Sequence, residues 1–349
     1  MGLQDVAWGY AAVFVGTLLA VFIFTPLCRA LGFLDRPTAR KAHGQAVPYS
    51  GGLAIGIALL PWVYWVGDAV LPWPALAGLM LLWLLGLVDD AKPLPSVLKF
   101  AAQAVGASAL VVALRGSIES IGLALLPAGA PEGLIFGLAI FCAIGLINAL
   151  NMIDGVDGLA GAQVLAVLGA LAVFSSGSGG EVLTLAGALG AAVLAYLVFN
   201  FPYRWRPMRI FMGDGGALFL GGLLVAIVVL AAGSTASASM DAVAPWTLVY
   251  LLSDTMAVIF ARLSVGRFPF SPDRWHLHHQ LLDAGRSMNQ VIALSVVVAF
   301  CGGAAGSLLH ELGFSPAESF LALLCVVTVY AVAMALRLRC RADSGLLSS

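Results

Sequence analysis

The sequence predicts an all-α, polytopic integral membrane protein: a single domain over residues 1–349, folded as one helical bundle of about eleven transmembrane helices. Three observations carry this expectation. Hydrophobic residues make up 61% of the chain and charged residues only 10%, where a soluble domain carries about 25% charged residues; mean hydropathy is +1.01. The apolar residues come in runs near the roughly 20 residues that a spanning helix needs. The basic residues then fall almost wholly on one side of the topology those runs define.

The first run, residues 6–28, has no basic segment before it, and Arg29, Arg36, Arg40 and Lys41 follow it. It reads as a retained helix with its N-terminus outside, not as a cleaved signal peptide. Ten more runs lie at roughly 50–67, 71–88, 97–114, 133–151, 158–175, 182–200, 216–233, 243–262, 288–308 and 316–336. The fifth to eighth runs are rich in Gly and Ala, as closely packed helices in a bilayer are. With the N-terminus outside, sixteen of the seventeen Lys and Arg residues lie on the inner side, only Arg115 lies outside, and the C-terminus is cytoplasmic. That asymmetry is what the positive-inside rule demands. Residues 175–180 and 233–240 read as short flexible outer loops. The five cysteines form no CxxC pair, which leaves no disulfide framework and no thiolate metal site.

The same topology puts the polar clusters on the inner side, as suits an enzyme drawing a soluble substrate from the cytosol. A transporter would need polar groups at mid-membrane or access from both faces. Asp89-Asp90 ends the third run; adjacent carboxylates repel one another unless a cation is near. A solvated helix end is the alternative. Lys92 and Lys99 follow, and either can neutralise phosphate. In Asn148-x-x-Asn151-x-x-Asp154-x-x-Asp157 the polar positions wind around a straight helix instead of converging. Gly155 and Gly158 permit a break there. Oxygen-only donors at a broken helix end suit a hard ion such as Mg²⁺. The alternative is a set of polar groups satisfying nearby backbone.

Phe211-Met-Gly-Asp214-Gly-Gly216 leads into the eighth run. Such a turn exposes N–H groups at a helix start, where anions bind, and Asp214 is either the best metal ligand of the set or a helix cap. In Asp273-Arg-Trp-His276-Leu-His278-His279, helical spacing places His276 and His279 on one face and His278 elsewhere. Zinc, a surface role and phosphate contact all stay open, with phosphate favoured by the hard-oxygen surroundings. Arg267, Arg274 and Arg286 add anion-binding capacity to that loop. Asp254, inside the ninth run, is either functional or bonded to a neighbouring helix, and it stays outside the expected site. Together these groups point to phosphoryl transfer on a lipid, chemistry made mostly of positioning and charge neutralisation.

Five motifs carry a resemblance over nearly the whole chain: RKAHGQAVPYSGG, GLVDDAKPLPSVLK, NALNMIDGVDGLAG, RIFMGDGG and FPFSPDRWHLHHQLLDAG. In this order they resemble the polyprenyl-phosphate N-acetylhexosamine-1-phosphate transferase family. The last is similar to the undecaprenyl-phosphate N-acetylglucosamine-1-phosphate transferase branch. The branch that transfers phospho-N-acetylmuramyl-pentapeptide has three consecutive histidines where this chain has His276-Leu277-His278-His279.

The resemblance implies transfer of N-acetylglucosamine-1-phosphate from UDP-N-acetylglucosamine to undecaprenyl or another polyprenyl phosphate, with release of UMP. The cofactor implied is Mg²⁺, with Mn²⁺ as a substitute. The setting implied is a bacterial inner membrane with the site facing the cytoplasm; no nucleic acid is involved, and a homodimer is compatible. By motif, Asp89, Asp90, Asp154, Asp157 and His279 become catalytic, with Asp89 resembling the base that deprotonates the lipid phosphate. Asp214 becomes the metal ligand. Lys41, His43, Lys99, Asn151, Asn200, Arg267, His276 and His278 become substrate-binding. Where relatives carry a third acid three residues beyond the pair, this chain has Pro93. The alternatives are the same chemistry with another UDP-N-acetylhexosamine or with UDP-N-acetylmuramyl-pentapeptide, and, in a different class, a transporter or flippase.

Overall fold

A computed structural model describes residues 3–36, 45–66, 71–174, 180–202, 208–234, 239–269 and 273–343. Lys41 and His43, and residues 175–179 of the expected outer loop, lie outside these. In chain order the described elements begin with α1 (Leu3–Leu31), a two-stranded antiparallel hairpin of β1 (Leu34–Asp35) and β2 (Val47–Pro48), α2 (Ser50–Val66), α3 (Trp73–Ala91), α4 (Ser96–Ala113) and α5 (Arg115–Leu125). Then come α6 (Glu132–Ile153), α7 (Leu159–Phe174), α8 (Gly180–Asn200), α9 (Gly213–Ala232), α10 (Met240–Thr247), α11 (Val249–Ser264), α12 (Leu277–Asp283), α13 (Met288–Glu311) and α14 (Pro316–Asp343).

The helical membrane bundle expected from hydropathy is the fold observed. Every apolar run is helical, and eight helices are long and apolar enough to cross a membrane. α10 and α11 are long and apolar enough only when taken together, and they meet at 50° across a short break. The ninth run is therefore two helices rather than one. Pro245, inside α10, removes a backbone donor one turn before the bend, a usual cause of kinks. The two remaining runs, α2 and α7, are apolar but shorter. The amphipathic helix α5 occupies a stretch that hydropathy assigns to an outer loop.

The bundle is organised around α9. Of its apolar window 83% is buried, against 33% for α1 and 28% for α14. It packs on α2, α3, α6 and α10, and the approach is close because glycines face one another. A Cβ on Gly86 of α3 would collide with the backbone of Asp214, and one on Gly52 of α2 with the backbone of Gly216. At the other end of α1, α2 and α3, Trp8, Tyr64, Trp65 and Trp73 are each more than 60% exposed. Exposed Trp and Tyr at helix ends are typical of a membrane–water interface, and the carboxylates lie at the opposite ends of α3 and α9.

Candidate active site

The site is assembled from three segments, beginning where α3 meets α9. Met212, at the N-cap of α9, makes no side-chain cap bond, so the first turn would keep free N–H groups. Asp90 supplies the missing acceptor from α3: the amides of Asp214 and Gly215 donate to its two oxygens at 2.8 and 3.0 Å. Gly213 makes this approach feasible, because it takes a left-handed φ of 70° and a Cβ there would press on the Asp90 carboxylate. Asp89 points the other way. Its Oδ1 accepts the Leu94 amide at 2.7 Å and its Oδ2 accepts Lys99 Nζ at 2.6 Å. The same ammonium donates to Asp214 Oδ2 at 2.8 Å. One lysine thus bridges carboxylates from α3 and α9.

The second segment is the break between α6 and α7. The helix stops at Ile153, and Gly158 turns the chain with a φ of 81°. The Gly158 amide donates to Asn200 Oδ1 at 2.6 Å, and Asn200 Nδ2 donates to the Ile210 carbonyl at 2.8 Å. Asn200 thereby ties the turn to the strand-like approach to α9. Asp157 is buried and paired with Arg209 at 2.9 Å, whose guanidinium lies 5.0 Å from the Phe211 ring centre. Burial, together with the carboxylates of Asp214, Asp90 and Asp157, holds Asp154 well above the ordinary carboxylate range. Asn151 sits in the last turn of α6, half-buried, its carbonyl accepting the Asp154 amide. Asn148 is turned away, exchanging hydrogen bonds with Gln103 of α4. Asn148 thus stands apart from the stripe, while beyond the break Asp157 lies close enough for its charge to act on Asp154.

The third segment is the histidine loop. Its base is a buried ion pair, Arg262 Nε and Nη2 to Asp273 at 2.8 and 3.0 Å, with side chains 1% and 2% exposed. Arg267 is exposed and stacks 5.1 Å from the centre of the Trp275 ring. His276 does not share a helical face with His279. It is the extended N-cap of α12, and its ring stacks on His278 at 5.5 Å. The reason is Asp254, whose Oδ1 accepts the Leu277 amide at 2.7 Å and starts the helix there, while its Oδ2 meets His276 Nδ1 at 2.8 Å. Spacing could not reveal this bond; the one sequence signal was a carboxylate inside an apolar run. His278 and His279 reach the Asp154 turn, their Nε2 atoms each 3.5 Å from the point where a Cβ of Gly155 would stand. Burial pushes the His278 ring well below its usual range and brings His279 down to about 4, so both are neutral near pH 7.

Two donor sets are chemically suited to a cation. One is the oxygen set around Asp214 and Asp89, with Lys99 between them. The other, Asp254 with His276 and His278, has ligand atoms within 4.8 Å of one another and is fully buried.

These elements can be compared with known proteins. A sequence profile described as glycosyl transferase family 4 matches residues 73–232. A decaprenyl-phosphate N-acetylglucosaminephosphotransferase of Mycobacterium tuberculosis strain H37Rv is 31% identical, covering 91% of this chain and 85% of its own. The chain belongs to glycosyl transferase family 4. The family match runs from the start of α3 to the end of α9, and so contains the bridged carboxylates, the α6–α7 break and Asn200. Other members similar to this chain are the undecaprenyl-phosphate alpha-N-acetylglucosaminyl 1-phosphate transferases of Escherichia coli K12, 28% identical over 90% of this chain and 87% of the relative, and of Haemophilus influenzae, 28% identical over 82% of each. As a member of this family, the chain is a multi-pass membrane transferase.

Proposed function

We propose that this protein moves N-acetylglucosamine-1-phosphate from UDP-N-acetylglucosamine to undecaprenyl phosphate or another polyprenyl phosphate, at the cytoplasmic face of a bacterial inner membrane. The observation that carries the proposal is the meeting of Asp89, Asp214 and Lys99 at one end of the bundle, beside the Asp154–Asp157 turn. The names of the relatives support the acceptor and the sugar. The distribution of Lys and Arg supports the orientation.

The reaction is a displacement at phosphorus. An oxygen of the lipid phosphate bonds to the sugar-bearing phosphorus, the bond from that phosphorus to the bridging oxygen breaks, and UMP leaves with the electron pair. Asp89, at the cytoplasmic end of α3, takes the proton of the lipid phosphate. Lys99 is then free to leave the two carboxylates for a phosphate oxygen, a point charge suited to that ligand. Asp214 is the residue that would hold Mg²⁺ or Mn²⁺; the oxygen-only donors fit such a hard ion, which when bound would neutralise charge on the departing phosphate. Asp90 positions α9 by capping it. Neutral His278 and His279 offer ring N–H groups to phosphate oxygens without repelling Lys99. Asn151, Asp157, Asn200 and Arg209 shape the turn that receives the nucleotide.

The test is to incubate the purified protein in detergent with UDP-N-acetylglucosamine, polyprenyl phosphate and Mg²⁺, and to identify both products by mass spectrometry. UMP and a lipid pyrophosphoryl sugar are expected. Release of UDP would mean glycosyl transfer and overturn the reading. The variant Asp214→Ala should fold but lose metal-dependent turnover, and full activity in it would remove the metal assignment.

A further inference from the structure

The proposed chemistry makes no use of Asp254, a buried carboxylate inside α11. It is 2% exposed, and both of its oxygens are engaged by N–H groups of a single short segment. Both partners sit at the entry to α12, a helix of seven residues. So short a helix is marginal by itself, because nucleation costs more than its few internal bonds return. External anchors must therefore hold it. They are Asp254 on the Leu277 amide, Gln280 Nε2 on the Trp275 carbonyl at 2.7 Å, and the Arg262–Asp273 pair at the base of the loop.

The bond to His276 does more than anchor. A carboxylate only accepts, so Nδ1 of His276 must carry the hydrogen, and Nε2 is left directed away from Asp254. The tautomer and the ring plane are both set by one contact, as a buried carboxylate does for histidines whose second nitrogen faces a ligand. The His276 ring in turn stacks on His278 at an interplanar angle of 16°, and His278 lies 4.2 Å from His279 centre to centre. His278 is fully buried, and neither of its ring nitrogens has a hydrogen-bond partner among the described residues. An enclosed imidazole without partners is costly. Its Nε2 faces the Asp154–Gly158 turn, 3.5 Å from the point where a Cβ of Gly155 would stand.

We propose that Asp254 is a positioning residue: through His276 and the start of α12 it holds His278 and His279 over the Asp154 turn, ready to meet phosphate oxygens of the substrate. This rests on the phosphoglycosyl transfer reading above. Asp254 touches no reacting atom. Its effect on turnover is transmitted by a fixed tautomer, a ring stack and a helix start.

The experiment uses the full chain in nanodiscs, with Asp254→Asn, Asp254→Glu, His276→Gln and the double variant Asp254→Asn/His276→Gln. Asparagine keeps an acceptor for the Leu277 amide but can present an N–H to Nδ1, which inverts the tautomer of His276. Expected results for Asp254→Asn are an unchanged thermal transition and a kcat at least 10-fold lower, with KM for UDP-N-acetylglucosamine within 3-fold. The His276 ¹⁵N signals should change from Nδ1-protonated to Nε2-protonated. Asp254→Glu should recover part of the rate and the original tautomer. The double variant should lose no more than His276→Gln alone, since both act through one ring. Wild-type kcat in Asp254→Asn, or fully additive losses in the double variant, would overturn the proposal. So would one equivalent of zinc in the purified protein that disappears in Asp254→Asn, for Asp254 would then be a metal ligand. If Asp254→Asn does not fold, His276→Gln alone must show the loss in kcat with KM preserved, and wild-type kinetics there would overturn the proposal. The ¹⁵N tautomer readout needs no turnover, so a wild-type protein that makes no UMP would refute the transfer reading while the Asp254–His276 link is still decided.

Discussion

The Lys99 bridge and the Arg262–Asp273 pair lie in different parts of the site, and they are built for opposite purposes. Lys99 bridges Asp89 and Asp214 with its side chain 24% exposed and theirs 11% and 28% exposed. Arg262 grips Asp273 bidentately with the two side chains 1% and 2% exposed. Water reaches the first, so its charges remain solvated and exchangeable, and a substrate phosphate or a divalent ion can replace one partner at modest cost. The second is sealed, planar and two-pronged, and among the described residues neither charge has another ion-pair partner. The lesson is that burial, more than charge or distance, separates a pair that takes part in chemistry from one that serves as scaffolding.

Arg262→Ala tests the sealed pair and should have the largest effect. Removing one partner of a buried ion pair leaves the other uncompensated, at a cost of about 3–5 kcal/mol. Thermal unfolding in detergent should show that loss, together with loss of activity, because the histidine loop hangs from this pair. The double replacement Arg262→Met/Asp273→Leu should regain most of the stability, since an apolar pair carries no desolvation penalty. A single variant as stable as wild type would show that the pair is not scaffolding.

Lys99→Met comes next and should behave in the reverse manner. A partly exposed bridge contributes only about 0–1 kcal/mol, so the unfolding transition should hardly move. Turnover should fall about 100-fold, in line with the loss of one charge that neutralises phosphate in the transition state. Binding of Mn²⁺ in the absence of substrate, followed by electron paramagnetic resonance, should tighten, because the ammonium no longer competes for Asp89 and Asp214. Unchanged or weaker Mn²⁺ binding would break the comparison at its exchangeable end.

A neutral clamp sits between these extremes. Asn200 is 3% exposed and joins the Gly158 amide to the Ile210 carbonyl. Asn200→Ala would leave both groups unpaired, at about 1–3 kcal/mol for each that water cannot reach. The transition should fall by more than in Lys99→Met, and Asn200→Asp, which keeps the acceptor but not the donor, should lie between Ala and wild type.

Much of this arrangement is legible in the sequence, and the illegible part has one physical cause. Apolar run length located the apolar helices, and Gly158 marked the break before α7, since both are properties of consecutive residues. Hydropathy could not distinguish α9 from α14: their mean values are 2.5 and 2.4, yet their apolar windows are 83% and 28% buried. Lipid and protein interior are equally apolar, so only the glycines of α9 hinted that it lies at the centre. Asp89 and Asp90 look equivalent in sequence, but one turns toward Lys99 and the other caps a helix more than a hundred residues away. Asp254 and His276 are likewise joined by the fold alone. A side chain's tertiary partner leaves no local trace.

The smallest effect is expected for an exposed network that joins α5 to the start of α6. Arg115 reaches Glu119 at 2.6 Å and Glu132 at 2.7 Å, but its side chain is 58% exposed and theirs are 41% and 60% exposed. By distance alone this network is as tight as the Lys99 bridge. Water screens these charges fully, salt screens them further, and holding three long side chains together opposes the gain. Arg115→Gln should therefore leave both the unfolding transition and kcat within error of wild type, at low and high salt alike. If it destabilised the protein as Arg262→Ala does, short distance would outweigh burial, and the distinction between scaffolding and exchangeable pairs would fail.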